Sequence, residues 1–226
     1  MVSDLDLATI SSLVIKNGYD DELFEWNQNN VKVSSIFKNG HINYVKIEKD
    51  NQTLYMLCQE GTQNENDIKT DLEAINNKKK KKVKGFKGQI LKEIWTEFNK
   101  YKSYYQDLIN YVQQHDPNKE IVFSGHSLGG AVAGVAGAIF NKRSVLIAPI
   151  PFMVHSNWNK NYSNGRPKVF VDKDDPCVGD DNKWYQINWE ISRHVGDVNY
   201  INAGYWEDCH KILKLSQYFK NKVNFV

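Results

Sequence analysis

The chain has 226 residues, of which 41% are hydrophobic and 25% are charged, and its formal net charge is +2. This composition is typical of a globular protein with enough apolar material for a core, and we expect a single domain spanning residues 1–226. The balanced charge gives no indication of nucleic-acid binding. The apolar stretches fall short of the roughly 20 residues that a membrane span needs, so no membrane-spanning helix is expected.

The cysteines and the N-terminal residues bear on the cellular compartment. Cys58, Cys177 and Cys209 leave one cysteine unpaired in any disulfide scheme, and their spacing is unlike that of a metal site. The first residues are acidic and lack the apolar segment of a secretory signal. The sequence therefore favours a cytoplasmic location and predicts no bound metal ion.

Helix-type and strand-type patterns alternate along the chain. In chain order we predict helices at 5–16 and 19–26, strands at 41–48 and 54–58, a helix at 89–115, a strand at 121–123, a helix ending at 140, and strands at 145–148 and 168–171. The helix at 89–115 is the clearest, because its apolar residues recur at steps of three and four. The alternation is typical of an α/β fold with a mainly parallel central sheet and helices on both faces.

One motif joins the strand at 121–123 to the helix that follows it. It reads Gly125-His126-Ser127-Leu128-Gly129. Glycines two residues before and after a serine allow a very tight turn, because side chains there would collide with the neighbouring strand and helix. The serine is then held in a strained backbone conformation at the end of the sheet, and the start of the helix offers free N–H groups to an oxyanion. We therefore predict Ser127 as a candidate nucleophile.

We call the turn at residues 125–129 the elbow. The elbow and several other segments, in the same chain order, resemble the class 3 lipases, a branch of the α/β-hydrolases that includes fungal triacylglycerol lipases. Residues 121–133 are similar to that family's strand, G-H-S-L-G-G elbow and alanine-rich helix. The segment at 54–62 resembles a strand ending in F-R-G-T or F-R-G-S, and 83–86 resembles the V-H-x-G-F before the long helix. The segment at 145–151 carries a P-x-P, and 169–178 is similar to one ending in N-D-x-V-P. The resemblance implies an α/β-hydrolase fold and ester hydrolysis.

The resemblance also implies a Ser-Asp-His triad. In α/β-hydrolases the acid and then the base follow the serine along the chain, which leaves His194 and His210 as candidate bases. His210 resembles the histidine of the terminal H-x-x-x-x-Y segment, with the tyrosine displaced, and His194 is the alternative base. Among the acidic residues after the last predicted strand, the resemblance selects Asp175, which Pro-Cys-Val follows. Asp174 and Asp172 are the alternative acids.

The resemblance implies an oxyanion hole formed by the backbone N–H groups of Thr62 and Leu128. Gln59 and Glu60 stand where the family usually has Phe-Arg, so a negative side chain replaces a positive one beside the predicted hole. The segment at 63–69 is polar, whereas fungal relatives have a lid with an apolar face there. We therefore expect weak activation at lipid interfaces, with soluble or short-chain esters hydrolysed at least as well as emulsions.

A run of lysines precedes the long helix. It consists of Lys78, Lys79, Lys80, Lys81 and Lys82, with two more lysines at 84 and 87. The simpler interpretation is a solvated loop in a lysine-rich chain. The functional interpretation is a polybasic patch that contacts an anionic membrane, at about 1 kcal/mol per lysine. Nucleic acid is not an expected partner, because no aromatic residues are interleaved with the lysines.

The sequence thus predicts a serine carboxylic ester hydrolase of the lipase or esterase type, acting on acylglycerols or related lipid esters through an acyl-enzyme. No metal or organic cofactor is expected. A phospholipase or an acyltransferase would use the same residues. A catalytically inactive hydrolase fold that binds lipid or a partner is the alternative from another functional class, and the departures at Glu60 and around His210 are its support.

Overall fold

The computed structural model describes residues 2–17, 25–28, 30–62, 79–151, 160–172, 175, 196–202 and 212–222. Within these ranges the helices are α1 (Asp4–Asn17), α2 (Lys92–His115), α3 (Ser127–Phe140) and α4 (Ile212–Lys222). The strands are β1 (Glu25–Gln28), β2 (Val31–Asn39), β3 (Ile42–Lys49), β4 (Gln52–Gln59), β5 (Lys80–Lys81), β6 (Ile90–Leu91), β7 (Glu120–His126), β8 (Arg143–Ile147), β9 (Lys168–Asp172) and β10 (Asp197–Ile201).

Eight of the described strands form one sheet, in the order β1-β2-β3-β4-β7-β8-β9-β10. Strands β1 to β4 pair antiparallel, whereas β4, β7, β8, β9 and β10 run parallel to one another. The carboxyl ends of these parallel strands therefore meet at one edge, which we call the carboxyl edge. The predicted α/β fold with a mainly parallel sheet is confirmed, with an antiparallel meander added at its N-terminal side.

Helices cover both faces of this sheet, as predicted. Consecutive side chains of a strand point to opposite faces, and two neighbours on β7 show which helices lie on each. The hydroxyl oxygen of Ser124 lies 2.7 Å from that of Ser11 on α1. The ring of Phe123 packs edge-on against Tyr105 of α2, with centroids 4.8 Å apart, and against Phe140 of α3 at 6.2 Å.

The structure differs from the predicted elements in several places, and β10 and α4 have no counterpart among the predictions. Residues 25 and 26, predicted as the end of a helix, belong to β1, which pairs with β2; the rest of that predicted helix lies largely outside the described residues. The sequence pattern missed β2, because a β-bulge interrupts its alternation of polar and apolar residues. Helix α2 begins at Lys92 rather than at residue 89, because residues 90 and 91 pair with β5.

None of the described helices combines the length and the apolar character that crossing a membrane would require.

One buried hydrogen bond joins α2 to the end of β4. The Tyr105 hydroxyl donates to Gln59 Oε1 at 2.6 Å, and both residues are almost fully buried. Tyr105→Phe leaves the Gln59 oxygen buried without this donor, so we expect the free energy of unfolding to fall by about 1–3 kcal/mol. Urea unfolding measures the change. Tyr104→Phe is the matched control, since its hydroxyl binds Asn39 in an exposed position. Equal losses in the two variants would contradict the assignment.

Candidate active site

The candidate nucleophile sits where β7 meets α3. Ser127 follows the last residue of β7 directly, and its φ angle of +54° lies in the left-handed region. A residue other than glycine in this conformation costs about 1–2 kcal/mol, so the surrounding structure must hold it there. The strained elbow that the motif predicts is thus present in the structure.

Two glycines make room for the elbow. A Cβ at Gly125 would lie 2.8 Å from the carbonyl oxygen of Gln59 on β4 and would also meet the backbone of Gly129. A Cβ at Gly129 would overlap the carbonyl oxygens of both Gln59 and Glu60. The predicted collisions with the neighbouring strand and helix are therefore confirmed, and the strand in question is β4.

A third glycine, Gly61, brings the end of β4 against the serine. A Cβ at Gly61 would lie 2.7 Å from Ser127 Cβ and 3.2 Å from the backbone nitrogen of Leu128. Thr62 follows directly, and both Thr62 and Leu128 are half-buried. The two segments whose N–H groups are the predicted oxyanion donors are therefore in contact. Sequence reasoning gave Gly61 no steric role, because the contact joins segments 66 residues apart.

The loop after β8 packs beneath the elbow. The Ile150 N–H donates to the carbonyl oxygen of Ser127 at 3.1 Å, and Ala148 has a φ angle of +40°. A Cβ at Gly130 would lie 3.0 Å from Pro149 Cβ. With β4 on one side and this loop on the other, Ser127 is completely buried. This differs from the exposed position that the motif suggests.

Two of the candidate acids lie at the carboxyl end of β9. Asp172 is the last residue of that strand, and the N–H of Asp175 donates to its carbonyl oxygen at 3.1 Å. Both are almost completely buried, at 0% and 1% exposure. Strand β9 is two positions from β7 in the sheet, a separation of about 10 Å. A third side chain can bridge this gap between serine and acid. Asp174 lies outside the described residues.

The two candidate bases, His210 and His194, lie outside the described residues, as do the polar segment at 63–69 and Lys78. Helix α4 begins at Ile212, and its Phe219 packs edge-on against Phe170 of β9 with ring centroids 5.5 Å apart.

Glu60, the main departure from the family pattern, is 7% exposed and lies against β3. Its N–H donates to the carbonyl oxygen of His41 at 2.9 Å, and its carboxylate lies 3.7 Å from His41 Nδ1. A neighbouring imidazole thus stands beside the carboxylate that replaces the usual arginine.

Burial, with a further contribution from the charge of Glu60, raises the pKa of the Cys58 thiol to about 12. This cysteine is therefore protonated at neutral pH and does not compete as a nucleophile.

No group of three or more histidine, cysteine, aspartate or glutamate side chains within the described ranges is arranged to hold a metal ion.

Comparison with known proteins identifies the family. The sequence profile of the family described as "Lipase (class 3)" matches residues 56–173, which is more than half of the chain. The chain belongs to the class 3 lipases. This membership supports hydrolase activity of the lipase or esterase type and confirms the resemblance stated from the sequence. No curated protein matches the chain.

Solved structures share the fold of this class 3 lipase. They include a lipase from Rhizopus microsporus var. chinensis (14% identical, covering 88% of this chain and 73% of that one, TM-score 0.56). A lipase from Yarrowia lipolytica is 15% identical over 86% of this chain and 77% of its own, with a TM-score of 0.60. A triacylglycerol lipase from Penicillium expansum is 18% identical, with 89% and 80% covered and a TM-score of 0.58. The α/β-hydrolase fold is thereby confirmed.

The steric constraint at Gly129 can be tested directly. Gly129→Ala places a methyl group on the carbonyls of Gln59 and Glu60, so α3 and the end of β4 must separate. Since displacements of about 1 Å cost roughly 10²-fold in rate, we expect at least that loss in the rate of p-nitrophenyl ester hydrolysis. Gly165→Ala is the control, because its φ is +88° but a Cβ there meets no atom within 4 Å. Unchanged hydrolysis in Gly129→Ala would contradict the constraint.

Proposed function

We propose that this class 3 lipase hydrolyses carboxylic esters of acylglycerols or related lipids, with Ser127 as nucleophile, Asp175 as acid and His210 as base. The observation that carries the proposal is the elbow itself. Ser127 is held at φ +54° between Gly61 and the loop after β8, with Thr62 and Leu128 adjacent. A strained, tightly packed serine beside two backbone donors suits acyl transfer.

The proposed reaction follows from these positions. His210 accepts the proton of the Ser127 hydroxyl as the oxygen attacks the acyl carbonyl. The N–H groups of Thr62 and Leu128 stabilise the resulting oxyanion, each by about 3 kcal/mol. The alcohol leaves with the proton from His210, which forms the acyl-enzyme. Water then gives its proton to His210 and attacks the acyl carbon. The bond between that carbon and the Ser127 oxygen breaks, His210 returns the proton to the serine oxygen, and the carboxylic acid is released.

Strand geometry favours Asp175 over Asp172 as the acid. Asp172 and Phe170 stand two residues apart on β9, so their side chains point to the same face of the sheet. That face packs on α4, where the ring of Phe219 meets Phe170. Burial and the charge of Asp172 together raise the pKa of Tyr218, also on α4. Asp172 is thus directed towards α4, whereas Asp175 lies beyond the end of the strand.

Sheet topology favours His210 over His194 as the base. Strand β10 runs parallel to β9, and the N–H of its first residue, Asp197, donates to the carbonyl of Pro167 at 2.8 Å. The start of β10 therefore lies at the edge opposite Ser127. In the sequence, His194 precedes β10, which begins at Asp197. The length of β9, about 13 Å, separates the start of β10 from the carboxyl edge. His210, in contrast, stands just before α4, which contacts β9.

Loss of the nucleophile should abolish both covalent labelling and turnover. We expect a fluorophosphonate probe to label the wild-type protein but not Ser127→Ala, because the probe reacts with an activated serine and Ser127 is the proposed nucleophile. The rate of p-nitrophenyl ester hydrolysis should fall on the order of 10⁴-fold or more. Ser163→Ala removes an exposed hydroxyl and should change neither readout.

The outcomes separate the functional classes. An unlabelled wild-type protein would favour the inactive lipid-binding module, and labelling that survives Ser127→Ala would mean that another residue is the nucleophile. A phospholipase or an acyltransferase using the same residues would show the same labelling with a different preferred substrate or acceptor.

The acid and base assignments are tested by paired substitutions. Asp175→Asn should lower kcat on the order of 10⁴-fold, because the base loses the group that fixes its tautomer, and His210→Ala should have a comparable effect. The controls are Asp172→Asn and His194→Ala, which should each keep kcat within about tenfold of the wild-type value. This holds even if the substitution of the buried Asp172 lowers the stability of the protein. Steady-state kinetics, with circular dichroism to verify folding, measures all four. A larger loss in either control than in its partner would reverse that assignment.

A further inference from the structure

The lysines before α2 form a compact feature outside the catalytic machinery. We call residues 79–92 the lysine hairpin, because β5 pairs antiparallel with β6 and the Lys92 N–H donates to the carbonyl of Lys79 at 2.8 Å. The segment contains seven lysines and no acidic residue. All seven lysines are exposed, namely those at 79, 80, 81, 82, 84, 87 and 92.

The backbone of the lysine hairpin is held by the core. Val83 is buried at 6% exposure, and the half-buried ring of Phe86 packs against the hydrophobic core. The backbone N–H and C=O of Lys87 both bind the side chain of Asn161, at 2.8 and 2.9 Å. The backbone that carries the lysines is therefore held in place by the core, while the lysine side chains themselves are exposed, as the simpler interpretation of a solvated loop also expects.

The positive charge of the hairpin is not neutralised within the described part of the chain, where none of its lysines forms an ion pair. The contrast is Arg143, which pairs with Asp4 at 2.6 Å and with Glu120 at 3.0 Å. The described residues do form ion pairs on the surface, yet none of these pairs involves the seven clustered lysines. Such a cluster creates a local positive potential on a protein whose net charge is only +2.

Helix geometry places this charge level with the elbow. Helices α2 and α3 both lead into strands at the edge opposite Ser127, so they run in the same direction. The rings of Tyr105 and Phe140 stack at 6.5 Å. Each of these residues stands 13 positions after the first residue of its helix, Lys92 or Ser127. The start of α2, with the lysine hairpin attached, therefore lies at the height of Ser127.

We propose that the lysine hairpin binds an anionic lipid surface and thereby brings the carboxyl edge of the sheet to lipid that contains the substrate. The proposal extends the proposed ester hydrolysis and rests on it for the identity of the substrate. Clustered lysines on a rigid support are attracted to anionic headgroups, and each contributes a factor of about five in affinity. Because the hairpin lies at the height of Ser127, its attraction to headgroups brings the candidate active site towards the lipid surface.

A nucleic acid fits the hairpin less well. Proteins that bind single strands combine basic grooves with exposed aromatic rings on which bases stack. Phe86 is the only aromatic residue between 79 and 92, and it packs against the core. The hairpin therefore offers charge without a stacking platform, which matches a headgroup surface.

The test compares two triple variants with the same change in charge. Lys80→Gln/Lys81→Gln/Lys84→Gln neutralises the hairpin, and Lys32→Gln/Lys102→Gln/Lys119→Gln neutralises exposed lysines elsewhere. Sedimentation with vesicles of phosphatidylcholine, alone or mixed with phosphatidylserine, measures binding. We expect the wild type to prefer the mixed vesicles and to lose this preference at high salt. The hairpin variant should bind them about 100-fold more weakly, and the control variant should bind as the wild type does.

Two controls keep the result interpretable. Melting temperatures of both variants should match that of the wild type, since only exposed side chains change. Hydrolysis of a soluble p-nitrophenyl ester should also be unchanged, because it needs no surface. If the wild type hydrolyses no ester but binds the mixed vesicles through the hairpin, the proposed function fails while the binding surface stands.

Three outcomes would overturn the proposal. They are equal binding of the wild type to neutral and anionic vesicles, equal loss in the two triple variants, and binding of an oligonucleotide but not of anionic vesicles. The last outcome would make the hairpin a nucleic-acid site.

Discussion

The close contact between the end of β4 and the start of α3 is the constraint on which the rest of the site depends. At Gly129 the helix backbone approaches the carbonyls of Gln59 and Glu60 so closely that no side chain fits between them. The same approach sets Gly61 against Ser127 and so brings the segments of both predicted oxyanion donors together. Because backbone atoms meet backbone atoms, the approach of these two segments does not depend on flexible side chains.

The strain at the elbow is held from both sides. Ser127 has a left-handed backbone, and Ala148 in the supporting loop does as well. The hydrogen bond from Ile150 to the carbonyl of Ser127 joins these two unusual conformations. A conformation that is costly in isolation persists where the surroundings determine it fully, and such positions cluster at functional sites. Burial of apolar side chains in the core around β7, β8 and their covering helices offsets this cost in stability.

The features that depend on neighbouring residues in the sequence were predicted correctly. The elbow was predictable because glycine spacing and a strand-to-helix junction are local signals, and α2 was predictable because its apolar stripe is long. Strand β2 was missed because a bulge disturbs its alternation. The first two residues of β1 were predicted as helix, because pairing with β2 decides their conformation. The role of Gly61 and the burial of Ser127 also escaped prediction, since both arise from segments that are distant in the chain.

The sheet register has a consequence for how the protein folds. Strands β1 to β4 pair with their immediate neighbours in the chain, so this meander needs only short loops to close. Gln59 of β4, in contrast, pairs with Gly125 of β7, which is 66 positions further along the chain. Closing so long a loop costs chain entropy before any contact repays it, and pairings of this kind form slowly. We expect the meander to assemble early and the junction beside Ser127 to form late, so that a partly folded chain has a sheet before it has a site.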